Sequence, residues 1–358
     1  MLCPRCHRIY EAGETRCAYD GETLTSERRI DFVRAGRTRH AGAVLGQRFK
    51  IRGFMGQGGT SRVYLAEDTT NQEPVALKLL EPPWAHDRVA RERFLQEARA
   101  ASSIDHPGVV KIHFVGQRSD GTPYIAMEYL FGESLMTYLE RVKIAEPDVG
   151  LPILRELATA LGAAHDKGVI HRDVKPQNVF LVGEPGEPYG VKLVDFGFAK
   201  LRDSTITAAG TAIGSVGYMS PEQCVSDDVD PRTDVYGLGV VAFRMFSGAL
   251  PFGEEPTDEV LAKHLVDPAP RLSDLREGAD PGLVAVVAKC LHKDPIRRYP
   301  TMAELGADLD ALGDGRPPKA LDDAEVAGER YSPRGPFSRL VARALYRRIG
   351  RVLPNDLA

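Results

Sequence analysis

The chain has 358 residues, of which 43% are hydrophobic and 27% charged, and a formal net charge of -4. That profile belongs to a globular protein with room for two folded units, or for one large enzyme domain with appendages, and it excludes a fibrous chain or wholesale disorder. A balance this close to neutral offers no global positive field for nucleic acid, and no apolar run approaches the ~18-20 residues of a membrane-spanning helix. Five cysteines, three of them in the first seventeen residues, do not make the framework of a disulfide-stapled secreted domain. With no basic region followed by an apolar stretch at the N-terminus, a reducing, cytoplasmic setting is expected.

Residues 1–24 carry Cys3, Cys6, Cys17 and Asp20 in a C-x2-C-x10-C-x2-D arrangement, in which two turns present ligands to a tetrahedral ion. The pattern resembles a small zinc ribbon with a structural zinc. His7 competes as fourth ligand, and reduced thiols in a frayed terminus are the plainer alternative. Residues 25–44, with Arg28, Arg29, Arg34, Arg37 and Arg39 and no sustained apolar period, read as a linker. The folded body spans 45–313. Its first part predicts short strands at Phe49–Met55, Arg62–Glu67 and Val75–Leu80, a helix at Arg91–Ser103, and strands at Val109–Val115 and Tyr124–Glu128. Helical spacing dominates after Glu133, most clearly over Leu151–Lys167 and Thr233–Ser247. A second linker is expected at 314–336, opened by Gly315, Pro317 and Pro318. At 337–354, apolar residues recur at helical spacing among Arg339, Arg343, Arg347, Arg348 and Arg351, which predicts a basic amphipathic helix. Three placements stay open for it: an anionic membrane surface, a partner protein, or an apolar patch of the helical lobe.

Between the first two strands of the body lie Gly56, Gln57, Gly58, Gly59, Thr60 and Ser61, a stretch whose bare backbone can donate N–H groups to phosphates or can simply be a turn. Alternation places Lys78 on the same side of its strand as Ala76, where a cation can meet phosphate oxygens; a lysine at a strand end also commonly reaches solvent. Glu97, on the following helix, is a partner able to hold it. Farther along come His171-Arg172-Asp173-Val174-Lys175-Pro176-Gln177-Asn178, and then Asp195-Phe196-Gly197 after a strand-like Val191–Val194.

With these motifs in this order, the stretch from Leu45 to Leu312 resembles the eukaryotic-like Ser/Thr protein kinases of bacteria, and is similar to protein kinases generally. The resemblance implies an α+β, two-lobed fold, a small antiparallel sheet lobe plus a larger helical lobe. It implies that Val63 and Ala76 pack on adenine, that Glu128, Tyr129 and Leu130 meet the adenine edge through backbone groups, and that Met127 guards the pocket behind. Lys78 would bind the α and β phosphates of ATP and pair with Glu97. Asp195 and Asn178 would hold magnesium or manganese ions, Asp173 would accept or orient the proton of the attacking hydroxyl, and Lys175 would contact the γ phosphate. Lysine at that last position looks like the serine/threonine subclass.

Gly210–Glu222 looks like the end of an activation segment, with Ser220-Pro221-Glu222 where Ala-Pro-Glu is usual. The same resemblance pairs Glu222 with Arg298 and has Asp234 brace the catalytic loop, anchors that favour protein substrates. Arg172 is a cation able to receive a phosphate on that segment, where Ser204, Thr205, Thr207 and Thr211 are candidates and Thr205 or Thr207 is the expected site of autophosphorylation. Two positions depart from the family pattern: Ser61 replaces the third glycine of the phosphate loop, and Ser215 replaces a threonine of the docking turn. The function expected is ATP-dependent phosphorylation of protein Ser/Thr hydroxyls; a non-catalytic scaffold of the same fold, or a metal-dependent adaptor, is the alternative.

Overall fold

The structure, a computed structural model, describes residues 14–17, 21, 23–24, 40, 42–183, 189–196, 216–225, 229–254 and 257–323. Cys3, Cys6, His7 and Asp20, the hydroxyls of Ser204, Thr205, Thr207, Thr211 and Ser215, and the basic stretch 337–354 lie outside the described residues. The chain divides into two compact units, one drawn from Met1–Ser103 and Val110–Phe131, the other from Ile104–Val109 and Gly132–Ala358.

Among the described residues the first unit is a six-stranded antiparallel sheet with one long helix. Its strands are β1 (Val44–Leu45), β2 (Phe49–Gln57), β3 (Ser61–Asp68), β4 (Glu73–Leu80), β5 (Ile112–Gln117) and β6 (Pro123–Glu128), in the order β1-β2-β3-β4-β6-β5. Period-2 alternation gives the sheet two apolar faces. Phe49, Ile51, Tyr64, Ala66, Leu77, Leu79 and Tyr124 form one buried cluster, while Leu80 and Ile125 pack with Phe94 and Ala98 of α1 (Arg88–Ser102) in another. Helix α1 starts where Asp87 accepts from the N–H of Ala90 at 2.7 Å. Gly46, at φ +56°, is required by space as well as conformation, because a Cβ there would stand 2.2 Å from the Tyr124 hydroxyl.

Among the described residues the second unit is built round α5 (Arg232–Ser247), where every residue from Thr233 to Phe246 except Arg244 is buried. A helix apolar on all sides belongs at the centre of a core. Gly237 and Gly239 bring it close to its neighbours, since a Cβ on them would stand 3.0 Å from Val174 and 2.5 Å from Cys290. Gly248 ends it in a left-handed cap, its N–H donating to Arg244 O at 2.8 Å. Around it lie α2 (Leu135–Val142), α3 (Pro147–Asp166), α4 (Pro221–Val225), α6 (Thr257–Val266), α7 (Leu272–Leu275), α8 (Pro281–Cys290) and α9 (Met302–Gly313). A small sheet of β7 (Gly132–Ser134), β8 (Val179–Val182) and β9 (Gly190–Leu193) completes the unit. Among the described residues no helix is long and apolar enough to cross a membrane.

Three boundaries differ from the sequence reading. The strand expected from Val109 begins at Ile112, because Val109 instead bridges Leu193 in parallel and the N–H of Leu193 donates to Gly108 O. Helix α3 begins at Pro147 rather than Leu151, with proline in the first turn, where its missing N–H costs nothing, and a second, Pro152, farther in. The linker expected from 314 is in fact packed chain as far as 323. The buried carboxylate of Asp308 accepts from the N–H groups of Lys319 and Ala320 at 2.8 and 3.0 Å and from the Tyr299 hydroxyl at 2.7 Å.

The side chain of Arg298 has no exposed surface. Its two terminal nitrogens meet Glu222 at 2.7 and 2.8 Å, its Nε donates to His292 O at 2.7 Å, and the remaining N–H groups reach Arg232 O and Lys293 O. All five guanidinium donors are thereby used. Burial pushes the Glu222 carboxyl up, but Arg298 and the Thr233 hydroxyl outweigh it and hold the carboxyl below its ordinary value of 4.5. The ion pair therefore contributes its full stability above about pH 4.5 and loses it as pH falls through the lowered folded value. Arg298→Met is expected to destabilise by about 3–5 kcal/mol, because it strands a buried carboxylate. In thermal unfolding the gap to wild type should narrow as pH drops from about 6 to about 3, where protonation removes the stranded charge.

Candidate active site

In the first unit, β2 and β3 are joined through a turn closed by Gly58 N–H donating to Ser61 O at 2.8 Å. A Cβ at Gly56 or Gly59 would meet nothing within 4 Å, and one at Gly58 would make only an ordinary 3.7 Å contact with Ser61. None of the three has a positive φ. Neither backbone conformation nor packing demands glycine here, so what the missing side chains provide is uncovered backbone N–H, the cradle a phosphate needs. Ser61, where a third glycine was expected, is the buried first residue of β3, paired with Leu80 on ordinary extended backbone. A side chain is accommodated there without strain.

The register of the sheet brings Val63, Ala76, Lys78 and Met127 to one face. Val63 stands opposite Lys78, and Ala76 lies between Leu65 and Met127. Lys78 is buried, and its ammonium meets Glu97 of α1 at 2.6 Å, 5.9 Å above the Phe94 ring. The pair joins β4 to α1 within this unit. At the end of β6, Glu128 is held twice by Lys111, its N–H donating to Lys111 O at 2.9 Å and its carboxylate accepting from Lys111 N at 2.7 Å. Beyond it the rings of Tyr129 and Phe131 meet edge to face at 4.7 Å, on either side of the partly buried Leu130.

In the second unit, the loop from His171 to Asn178 is fastened to Asp234, in the first turn of α5. The two oxygens of this buried carboxylate accept from His171 N and Arg172 N, each at 2.8 Å, and from His165 Nε2 at 2.7 Å. Arg172 adopts the left-handed region at φ +65°. Such a conformation costs a non-glycine residue on the order of 1–2 kcal/mol and persists only where its surroundings impose it. Burial drives the pKa of His171 down, although Asp234 and Asp173 oppose it, so the ring is neutral. Its Nδ1 lies 3.3 Å from the N–H of Asp173 and accepts from it, which places the proton on Nε2, 3.2 Å from Val194 O.

Asp173, Lys175 and Asn178 are brought together at hydrogen-bond distance. Asp173 Oδ2 meets Lys175 Nζ at 2.8 Å and Asn178 Nδ2 at 3.0 Å, and the same amide nitrogen donates to Asp173 O at 2.8 Å. The amide oxygen of Asn178 takes no part in these bonds. Val194 N–H donates to Asn178 O at 2.9 Å, tying the loop to the chain that carries Asp195. Asp195 adopts φ +56°, and the following Phe196 is buried against His171 with ring centroids 4.8 Å apart. A carboxylate and an amide oxygen are hard donors that suit magnesium or manganese, which commonly draw their other ligands from phosphates and water. Among the described residues no group of three or more His, Cys, Asp or Glu side chains is gathered for a metal, and of the cysteine-segment ligands only Cys17 is described.

Two residues of this site were not singled out in the sequence. His165, a third donor to Asp234, carries no local signal. Gln223 does: Ser220-Pro221-Glu222-Gln223 is a capping-box pattern, and both of its bonds form, Gln223 N to Ser220 Oγ at 3.4 Å and Ser220 N to Gln223 Oε1 at 3.0 Å. The amide nitrogen of Gln223 donates in addition to Arg172 O at 2.7 Å.

The protein kinase domain family model matches residues 49–308. The chain is 37% identical over 290 residues to serine/threonine-protein kinase PknB of Mycobacterium leprae, covering 78% of this chain and 46% of the relative. It is 35% identical over 263 residues to serine/threonine-protein kinase PrkC of Bacillus subtilis, covering 73% and 40% respectively. The chain thus spans less than half the length of the curated relatives it matches. Among solved structures, the Mycobacterium tuberculosis PknI kinase domain is similar with a TM-score of 0.61 and 28% identity, covering 76% of this chain and 99% of that one. With a family model across most of the folded body and the expected sheet and helical lobes both present, the chain belongs to the protein kinase family.

Proposed function

We propose that this chain is a serine/threonine protein kinase that transfers the γ-phosphoryl group of ATP to protein hydroxyls. The observation that carries the reading is the Asp173, Lys175 and Asn178 cluster, in which an acceptor carboxylate, a cation and an amide oxygen occupy one loop held by Asp234. In this reading the Gly56–Ser61 backbone and Lys78, steadied by Glu97, bind the phosphates, while Val63, Ala76, Met127 and the chain at Glu128–Leu130 receive the adenine. Asp195 and Asn178 hold the divalent ion. Bound magnesium supplies positive charge that screens the triphosphate. Asp173 orients the substrate hydroxyl and takes its proton as the oxygen bonds to the γ phosphorus and the bond to the bridging oxygen breaks. Lys175 balances charge on the transferred group, which suits a loose transition state governed by positioning and electrostatics. Transfer of labelled phosphate from ATP to a generic basic protein should fall more than roughly a hundredfold in Asp173→Asn and in Lys78→Met. Equal labelling by both variants and wild type would replace this reading with a non-catalytic scaffold.

Autophosphorylation at Thr205 or Thr207 belongs to the same proposal, supported by Arg172 beside Asp173; phosphopeptide mapping after incubation with ATP tests it. For residues 337–354 we infer a docking role, and sedimentation with anionic liposomes, comparing the full chain with one ending at Gly335, separates membrane from protein contact.

For residues 1–24 we infer a structural zinc ribbon. What supports it is that the chain returns on itself around Cys17: Arg16 pairs antiparallel with Thr23, Gly21 N–H donates to Cys17 O at 2.9 Å, and Cys17 is only 3% exposed. Metal analysis of the full chain should find one zinc per molecule, lost in Cys17→Ser; absence of zinc from the wild type would overturn the assignment.

A further inference from the structure

The peptide that joins Arg172 to Asp173 is gripped at both of its polar ends. Its N–H, on Asp173, donates to His171 Nδ1 at 3.3 Å. Its carbonyl, on Arg172, accepts from Gln223 Nε2 at 2.7 Å. The preceding N–H, on Arg172, donates to Asp234 at 2.8 Å. Because Arg172 sits at φ +65°, this peptide is not held in place by its own conformational preference. Turning it would swing Asp173 away from Lys175 and Asn178, so whatever fixes the carbonyl fixes the carboxylate.

Gln223 reaches that carbonyl from the other side of the site. It is the third residue of α4, and its Oε1 accepts from the N–H of Ser220, the residue that follows the buried Val216–Tyr218 turn and Met219. Ser220 is fully buried, and its hydroxyl lies 3.4 Å from both Gln223 N and Thr233 Oγ1, the latter bonded in turn to Glu222. One amide side chain thus spans from the end of the expected substrate-docking turn to the peptide before Asp173.

We propose that Gln223 is a positioning residue for phosphoryl transfer, its amide coupling the Val216–Ser220 segment to the orientation of Asp173 through the carbonyl of Arg172. This rests on the kinase reading above. The two ends of the amide separate the two roles it can have. Capping of α4 uses Oε1 and the Ser220 hydroxyl, whereas positioning uses the Nε2 donor.

The test uses two variants of the full chain beside wild type and Asp173→Asn, with steady-state phosphotransfer to a generic basic protein normalised to the number of nucleotide-binding sites. Gln223→Glu keeps the length and the acceptor for Ser220 but replaces the donor with an oxygen that repels the Arg172 carbonyl. Gln223→Met keeps only the length. Positioning predicts that kcat falls by roughly ten- to a hundredfold in both, as loss of the donor that orients the carbonyl implies, with KM for ATP within about twofold of wild type. A Gln223→Glu variant with kcat within about twofold of wild type overturns the proposal and leaves Gln223 as a helix cap. Loss that disappears on normalisation overturns it equally, since the defect is then one of folding. Wild type no more active than Asp173→Asn defeats the kinase reading itself, a result distinguishable from either.

Discussion

A single buried carboxylate, that of Asp234, sets the shape of the loop on which the expected chemistry depends. It collects the N–H groups of His171 and Arg172 and the ring of His165, and it sits in the first turn of α5, a helix buried on all sides. A carboxylate in such a place is tolerable only because donors surround it, and its position in the first turn places it where the helix dipole is favourable. The arrangement transmits rigidity outward from the core. Helix α5 is fixed by packing on every side, Asp234 is fixed by α5, and the strained Arg172 is fixed by Asp234. Residues that handle a reactive group need this hierarchy, because a loop alone cannot hold side chains within the tolerance that transfer requires.

The first unit solves the same problem by different means. Lys78 stands on the middle strand of a sheet closed on both faces by apolar side chains, and its partner Glu97 projects from the helix packed against one of them. The ion pair is therefore positioned by the register of β3, β4 and β6 and by the packing of α1 on the sheet. A one-residue slip of β4 would turn Lys78 and Ala76 together to the opposite face, away from Val63 on β3.

How much of this was legible in the sequence follows from the range of each signal. The strand alternation around Lys78, the helix at Thr233–Ser247, the Asp173, Lys175 and Asn178 spacing and the Glu222 with Arg298 pairing were all expected and are all present. Ser61 departs from the family pattern, and a side chain fits there because the position is ordinary strand. Val109 reads as strand by its apolar, β-branched character but falls outside the observed one, because its backbone is engaged by Leu193, more than eighty residues away. Gln223 is hidden from the sequence for a related reason. Its capping partner is three residues distant and visible, but the carbonyl it holds belongs to Arg172, and no local pattern announces a bond across that separation.

The Asp308 clamp bears on where this folded unit stops. The sequence shared with the family ends at Asp308 itself, yet that carboxylate draws two of its donors from Lys319 and Ala320. Chain beyond the family boundary is thus a component of the cooperative core rather than an attachment to it. Excising the folded body at the family limit would remove the natural lid of a buried acid, and Asp323 is itself tethered to α8 by the ion pair of its carboxylate with Lys289.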